Sequence, residues 1–266
     1  MKKRRLGQHF LFDPSILNRI VSAAQINTDD TIIEIGPGSG SLTTLLAESA
    51  KEVIAVEVDR HLCERLREGL SGIDNLELVC GDFLEYDLDK IDGFKAVGNI
   101  PYYITTPIIF KLLSAGRRLL SATLTIQKEV AERIVAGPGT KRYGILSLMV
   151  QYRTEAEIAF LIPKEAFNPP PKVDSAVIQL RTLHEKRVLV RDEGLFFRII
   201  RTAFSQRRKT LANSLKPVYT DIKGILEELG IDPRRRPETL TIEDFARISD
   251  TLPDVCRSHK NGLLPK

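Results

Sequence analysis

The chain is poor in cysteine. Three occur in 266 residues, Cys63, Cys80 and Cys256, none in a CxxC pair or at ligand spacing from the four histidines. That excludes a disulfide scaffold and a zinc ribbon, and no metal is expected. The thiols read as buried and reduced, which points to a reducing compartment. Long apolar runs are missing too. None approaches the roughly 20 residues of a membrane span, and the basic start MKKRRLGQHFLFD lacks the apolar segment of a leader peptide. The expectation is a cytoplasmic protein with no membrane association.

What is present is ordinary for a globular protein: 42% hydrophobic and 28% charged residues. That is enough to build a core, in a length that fits one large domain or one with a small appendage. The net charge of +4 is unevenly spread. Residues 184–266 hold 17 Lys and Arg against 12 Asp and Glu, while the rest holds 22 against 23. Lys2, Lys3, Arg4 and Arg5 form a separate basic cluster at the N-terminus. Basic ends around a near-neutral body suit a polyanionic partner; a solvated charged surface is the plainer alternative.

After Pro14, SILNRIVSAAQI has a helical pattern, with Ile16, Ile20 and Val21 on one face. Two apolar, β-branched runs then read as buried strands, TIIEIG (31–36) and EVIAVEVD (52–59), followed by a third strand, LELVCGD (76–82), and a fourth, FKAVGNI (94–100). Helices SLTTLLAESA and HLCERLREGL alternate with them. Such alternation predicts an α/β fold, a doubly wound parallel sheet with right-handed crossovers. ATLTIQ (122–127) extends the sheet, and AEIAFLI with SAVIQLR closes it as an antiparallel pair. GPGTKRYG (137–144) reads as a flap over the substrate or a plain surface loop. From Asp192 the pattern is helical: GLFFRIIRTAFSQRRKTLANSL, DIKGILEELG and TIEDFARISDTL. In the first, Leu195, Phe196, Ile199, Ile200 and Ala203 share a face opposite Arg198, Arg201 and Arg208. Thr241 with Asp244 resembles a capping box. The expected domains are 1–185 and a small all-helical 186–266.

EIGPGSG (34–40) sits where the first strand turns into a helix. Gly36, Gly38 and Gly40 let a ligand approach the backbone, but Ser41 stands where a third fingerprint glycine should fall. That spacing disfavours a dinucleotide, and with it a nicotinamide oxidoreductase. Glu57 ends the second strand, where a carboxylate takes ribose hydroxyls. Asp82 ends the third, placed to accept from an adenine amino group, with Phe83 beside it for stacking. Strand-end acids also cap helices, so each alone is weak. Together with Asn99 at the fourth strand end they suggest a nucleoside without a pyrophosphate, hence S-adenosylmethionine and a Rossmann-like methyltransferase sheet.

NIPYYIT (99–105) follows that fourth strand. An exocyclic adenine amine is a poor nucleophile. Two acceptors, the Asn99 side-chain oxygen and the Ile100 carbonyl, would orient it and stabilise its developing charge. Tyr102 would stack on an unstacked or flipped base. Phe167, before Pro169 to Pro171, is a second candidate ring over the pocket or a core anchor. Tyr103 is either a second functional ring or packing.

The ordered set GQHFL (7–11), EIGPGSGSLT (34–43), VEVDR (56–60), GDFL (81–84), NIPYYITTPI (99–108), LTIQKEVAERI (124–134), YGILSLMVQY (143–152) and FNPPPKVDSAV (167–177) resembles the small-subunit type of ribosomal RNA adenine dimethyltransferase. AFSQRRKTLANSL (203–215) is similar to that family too. The resemblance implies four methyl transfers from S-adenosylmethionine, converting two adjacent adenosines in the 3′-terminal hairpin loop of small-subunit rRNA to N6,N6-dimethyladenosine. A part in late small-subunit biogenesis is implied with it. It also implies that His9 and Leu11 join Gly36, Gly38, Glu57, Asp82, Phe83 and Asn99 around the cofactor. Asn is common in the family where His9 stands, which places that contact on the backbone. The basic helical domain would grip RNA phosphates, with Arg207, Arg208 and Lys209 as candidates, in a monomeric enzyme. The alternatives are a large-subunit adenine methyltransferase of the macrolide-resistance kind and a non-catalytic assembly factor.

Overall fold

A computed structural model describes residues 9–206 and 208–253. Arg207, Cys256 and the basic cluster Lys2 to Arg5 therefore lie outside the described residues. The described residues fall into two compact units, one within 1–131 and 155–184, the other within 132–154 and 185–266. Residues 132–154 thus group with the helical C-terminal unit, whereas the sequence pattern places them in the first domain.

The first unit opens with β1 (Phe10–Leu11) and α1 (Pro14–Ala24). Asp13 caps α1 by accepting from Ser15 N at 2.8 Å, and Pro14 fills the first helical position, where no N–H is needed. Then follow β2 (Thr31–Ile35), α2 (Ser41–Ser49), β3 (Glu52–Glu57), α3 (Arg60–Gly69), β4 (Leu76–Cys80), β5 (Phe94–Asn99), α4 (Thr105–Ser114) and β6 (Leu119–Gln127). After α5 (Lys128–Ile134) and α6 (Ile145–Gln151) come β7 (Thr154–Ile162), the two-residue β8 (Phe167–Asn168) and β9 (Ser175–Thr182).

The seven-stranded sheet has the order β4-β3-β2-β5-β6-β9-β7. Its first five strands pair parallel and β9 runs antiparallel to β6. The chain enters at β2, winds outward to β4, then returns to β5 on the other side. That reversal leaves a crevice at the carboxyl ends of β2 and β5, the place where such sheets bind ligands. Ile32, Ile33, Val53, Ala55, Val97 and Ala96 are buried in the central strands, as both-face coverage of a parallel sheet requires. Helix α1 packs into a cluster with Leu11, Leu42, Leu46, Val177 and Phe167.

The second unit holds α7 (Glu193–Ser205), α8 (Leu211–Leu215), α9 (Ile222–Glu228) and α10 (Ile242–Thr251). Its core is aromatic: the Tyr152 ring lies 5.2 Å from that of Phe196 and 5.1 Å from that of Phe197. The capping box of α10 is present, Asp244 N donating to Thr241 Oγ1 and Thr241 N to Asp244 Oδ2, both at 3.2 Å.

Two expectations need correction. The long helix foreseen over 194–215 breaks after Ser205. Its continuation would need intrahelical acceptors for Leu211 N and Ala212 N, which instead donate to Arg235 O and Pro233 O at 2.7 and 3.1 Å. Arg208 and Lys209 therefore stand in an exposed connection rather than on a helix face. Of the two readings of 137–144, the surface loop agrees with the exposure of residues 138–142, and the segment is fastened within its own unit. Gly139 N donates to Glu238 O at 2.7 Å, and Tyr143 is buried edge-on to Phe204. Finally, Cys63 and Cys80 are joined in a disulfide, not reduced thiols. Helix α3 packs against β4 and brings the two α-carbons to 6.0 Å, within bonding range.

Candidate active site

Beyond the carboxyl ends of the strands lies a cleft of about 1120 Å³, open solvent included. Its walls include every residue assigned from sequence to the cofactor, namely His9, Leu11, Gly36, Gly38, Glu57, Asp82, Phe83 and Asn99. Ile100, Tyr102 and Phe167 line the same cleft.

The glycine turn comes first. Gly36 has φ +70°, a conformation that L side chains resist, and the space where its Cβ would point is empty to 4 Å. A ligand can therefore come against the backbone there. At Gly38, φ is +60° and a Cβ would stand 3.1 Å from the Phe10 ring. Gly38 N donates to Glu57 Oε2 at 3.1 Å, and Asp59 N to Glu57 Oε1 at 2.9 Å. Glu57 thus ties the glycine turn to the end of β3. Burial pushes its carboxyl above the usual range, and those two N–H groups pull it back. The helix cap at this strand end is Asp59, which accepts from His61 N, so capping does not explain Glu57. Asp82 is exposed and closes a tight turn by accepting from Leu84 N at 2.9 Å, while Phe83 is buried.

The other wall is built around Asn99. Its Nδ2 donates to the His9 carbonyl at 2.8 Å. A carbonyl can only accept, so this bond commits the amide nitrogen and leaves Oδ1 as the end available to a ligand. His9 Nδ1 in turn donates to Pro169 O at 2.7 Å. The residues after His9 pair with β8, Phe10 opposite Asn168 and Leu11 opposite Phe167. The segment 9–11 is held at both its side chain and its backbone. Ile100 is buried, its N–H donating to Thr125 O at 3.0 Å.

Tyr102 is half-buried, its hydroxyl 2.8 Å from Ser175 Oγ and its ring 5.7 Å from the His9 ring. Burial raises its phenol pKa, against the Ser175 hydrogen bond, so it is a neutral ring and not a base. Phe167 is 4% exposed; it belongs to the α1 core cluster and still contributes to the cleft wall.

Two lining residues went unassigned in the sequence. Glu34, within EIGPGSG, is 1% exposed, and burial raises its pKa to about 8. Thr43 lies beside it, yet no hydrogen bond of good geometry reaches Glu34 Oε2 or Thr43 Oγ1. An acid in the middle of an apolar parallel strand was the signal for it. Tyr103, left open between a functional ring and packing, lines the cleft and is 62% exposed.

The family model for "Ribosomal RNA adenine dimethylase" matches residues 1–254. Ribosomal RNA small subunit methyltransferase A of Clostridium botulinum (strain ATCC 19397 / Type A) is 47% identical over 259 residues, covering 95% of this chain and 94% of its own. Its counterpart from Moorella thermoacetica is 46% identical, covering 94% and 92%. Among solved structures, a dimethyladenosine transferase from Plasmodium falciparum superposes with a TM-score of 0.80 at 30% identity, over 90% of this chain and 96% of that one. The 23S rRNA methyltransferase ErmE does so with a TM-score of 0.74 at 30% identity, over 90% and 98%.

Proposed function

Because the chain belongs to the ribosomal RNA adenine dimethylase family, we propose that it modifies two adjacent adenosines in the 3′-terminal hairpin loop of small-subunit rRNA, within the small ribosomal subunit. It is an S-adenosylmethionine-dependent adenine dimethyltransferase acting on ribosomal RNA. The cleft suits that cofactor: an open cradle at Gly36, a buried carboxylate at Glu57, and an acid beside a ring at Asp82 and Phe83. Glu57 is assigned to the ribose hydroxyls, Asp82 and Phe83 to the adenine, and Gly36, Gly38, His9 and Leu11 to the enclosing wall. Bound there, the cofactor supplies an electrophilic methyl group.

The observation that carries the reading is the fixed amide of Asn99. Its free Oδ1 and the Ile100 carbonyl accept the two protons of an adenine N6 amine. That draws the nitrogen out of conjugation with its ring and stabilises the positive charge it gains on attack. The orientation lowers the barrier by placing the lone pair, as proximity effects do. Tyr102, held by Ser175, is assigned to the face of the reacting base, with Phe167 behind it. No general base is needed before attack, and the neutral phenol of Tyr102 does not act as one.

The helical unit is assigned to RNA phosphates through Arg208 and Lys209, both exposed, with Arg207 in the same basic triplet. The enzyme works as a monomer in the cytoplasm, where ribosomal subunits are assembled, and a role in late small-subunit biogenesis follows from its substrate. Since Cys63 and Cys80 are bonded, this location rests on the substrate and not on reduced thiols. The 46–47% identity with small-subunit enzymes favours that substrate over the large-subunit reading suggested by ErmE.

Labelled methyl transfer from S-adenosylmethionine to small subunits lacking the modification tests the proposal. N6,N6-dimethyladenosine at two neighbouring positions supports it. Label in large-subunit RNA, or none in either, rejects it.

A further inference from the structure

Adjacent residues of the NIPYYIT turn present two aromatic rings in opposite situations. Tyr102 is half-buried, its hydroxyl held by Ser175 and its ring beside His9. Tyr103 lines the same cleft but is 62% exposed, and its ring meets no other aromatic ring among the described residues. The two lie in one turn of 3₁₀ helix, Tyr102–Ile104. Successive side chains there point about 120° apart, which turns one ring inward and the next outward.

A ring left 62% exposed keeps most of its surface available to a ligand. It is not isolated. Val58, 51% exposed, lines the same cleft, and Phe12, 50% exposed, lines an adjoining hollow that shares Phe10, Gly38 and Ser39 with it. Of the seven large apolar side chains exposed among the described residues, two therefore line the cleft and a third lines the hollow beside it. Exposed apolar side chains in and beside a cleft can meet a ligand that enters it.

Taking one adenosine out of its strand strips a stacking partner from the next nucleotide. On the reading given above, that next nucleotide is the second adenosine to be modified. We propose that Tyr103 is a positioning residue whose exposed ring stacks on this neighbouring base while Tyr102 holds the reacting one. The turn then offers one aromatic face to each of two adjacent bases, compensates part of the unstacking cost, and sets the register of the strand at the mouth. A base stacked on Tyr103 stands one nucleotide from the pocket, poised to be the next substrate.

The test compares wild type, Tyr103→Ala and Tyr103→Phe on two small-subunit substrates. One carries unmodified RNA. The other is reconstituted with RNA bearing an abasic nucleotide beside the reacting adenosine. On the intact substrate Tyr103→Ala should lose about 5- to 150-fold in kcat/KM, the range of one base–aromatic stack. Tyr103→Phe should stay close to wild type, and S-adenosylmethionine affinity should be unchanged in both. On the abasic substrate wild type and Tyr103→Ala should react equally, a coupling that a merely structural role does not produce. Wild-type rates for Tyr103→Ala on the intact substrate, or an equal loss on both substrates, would overturn the inference. Inactivity of wild type on intact subunits would reject the underlying reading, and this one with it.

Discussion

Asn99 donates its side-chain amide to the backbone carbonyl of His9 at 2.8 Å, across 90 residues of sequence. The bond orients the amide so that its oxygen, not its nitrogen, is left for an incoming amine. It also fixes the backbone of His9 at the wall of the cleft. His9 is clamped in turn by Pro169, and the next two residues pair with β8.

Glu34 makes stability pH-dependent. Its pKa rises from the ordinary 4.5 to about 8 on folding, so between those values the folded chain holds a proton that the unfolded chain has lost. Stability from this group is complete below pH 4.5 and is lost as pH rises through 8, with a slope of about 1.4 kcal/mol per pH unit. Urea unfolding of Glu34→Gln should show that slope removed and higher stability than wild type at pH 9.

The Cys63–Cys80 bond closes a loop with a sequence separation of 17. Restricting the unfolded chain by such a loop contributes about 3 kcal/mol. Unfolding in the presence of a reductant should lose about that amount, and Cys63→Ser should lose at least as much. Equal stability with and without reductant would show that the crosslink is not formed.

Substitutions separate the core place of Phe167 from its proposed place at the reacting base. Phe167→Ala empties a buried site and should cost about 3–5 kcal/mol in denaturant unfolding. Phe167→Leu keeps most of the apolar volume and should stay folded. It should still lose methyl-transfer rate, since a leucine cannot stack on a base.

Arg208 and Lys209 should act without regard to sequence. The double change to alanine should reduce the slope of log affinity against log salt by about 1.5. The positions of the methylated adenosines should be unchanged when mapped.

Much of this was legible in the chain because it is local. Strands β2, β3, β4 and β5 are short, largely apolar runs, and Gly36, Glu57, Asp82 and Asn99 stand at or just past their carboxyl ends, where a parallel sheet gathers them. What was not legible depends on distant partners. The pairing of β1 with β8 joins two-residue strands more than 150 residues apart, too short for any periodicity. The disulfide links a helix to a strand with no motif around either cysteine. The break after Ser205 comes from acceptors in the 233–235 loop, and the helical run on both sides conceals it.

The most direct test is the single-turnover rate of Asn99→Ala on small subunits, measured beside its affinity for them. Loss of one oriented acceptor at the reacting amine should slow transfer about 100- to 1000-fold, with subunit affinity unchanged. Retained wild-type transfer would contradict the assignment of Asn99 as the group that orients the amine.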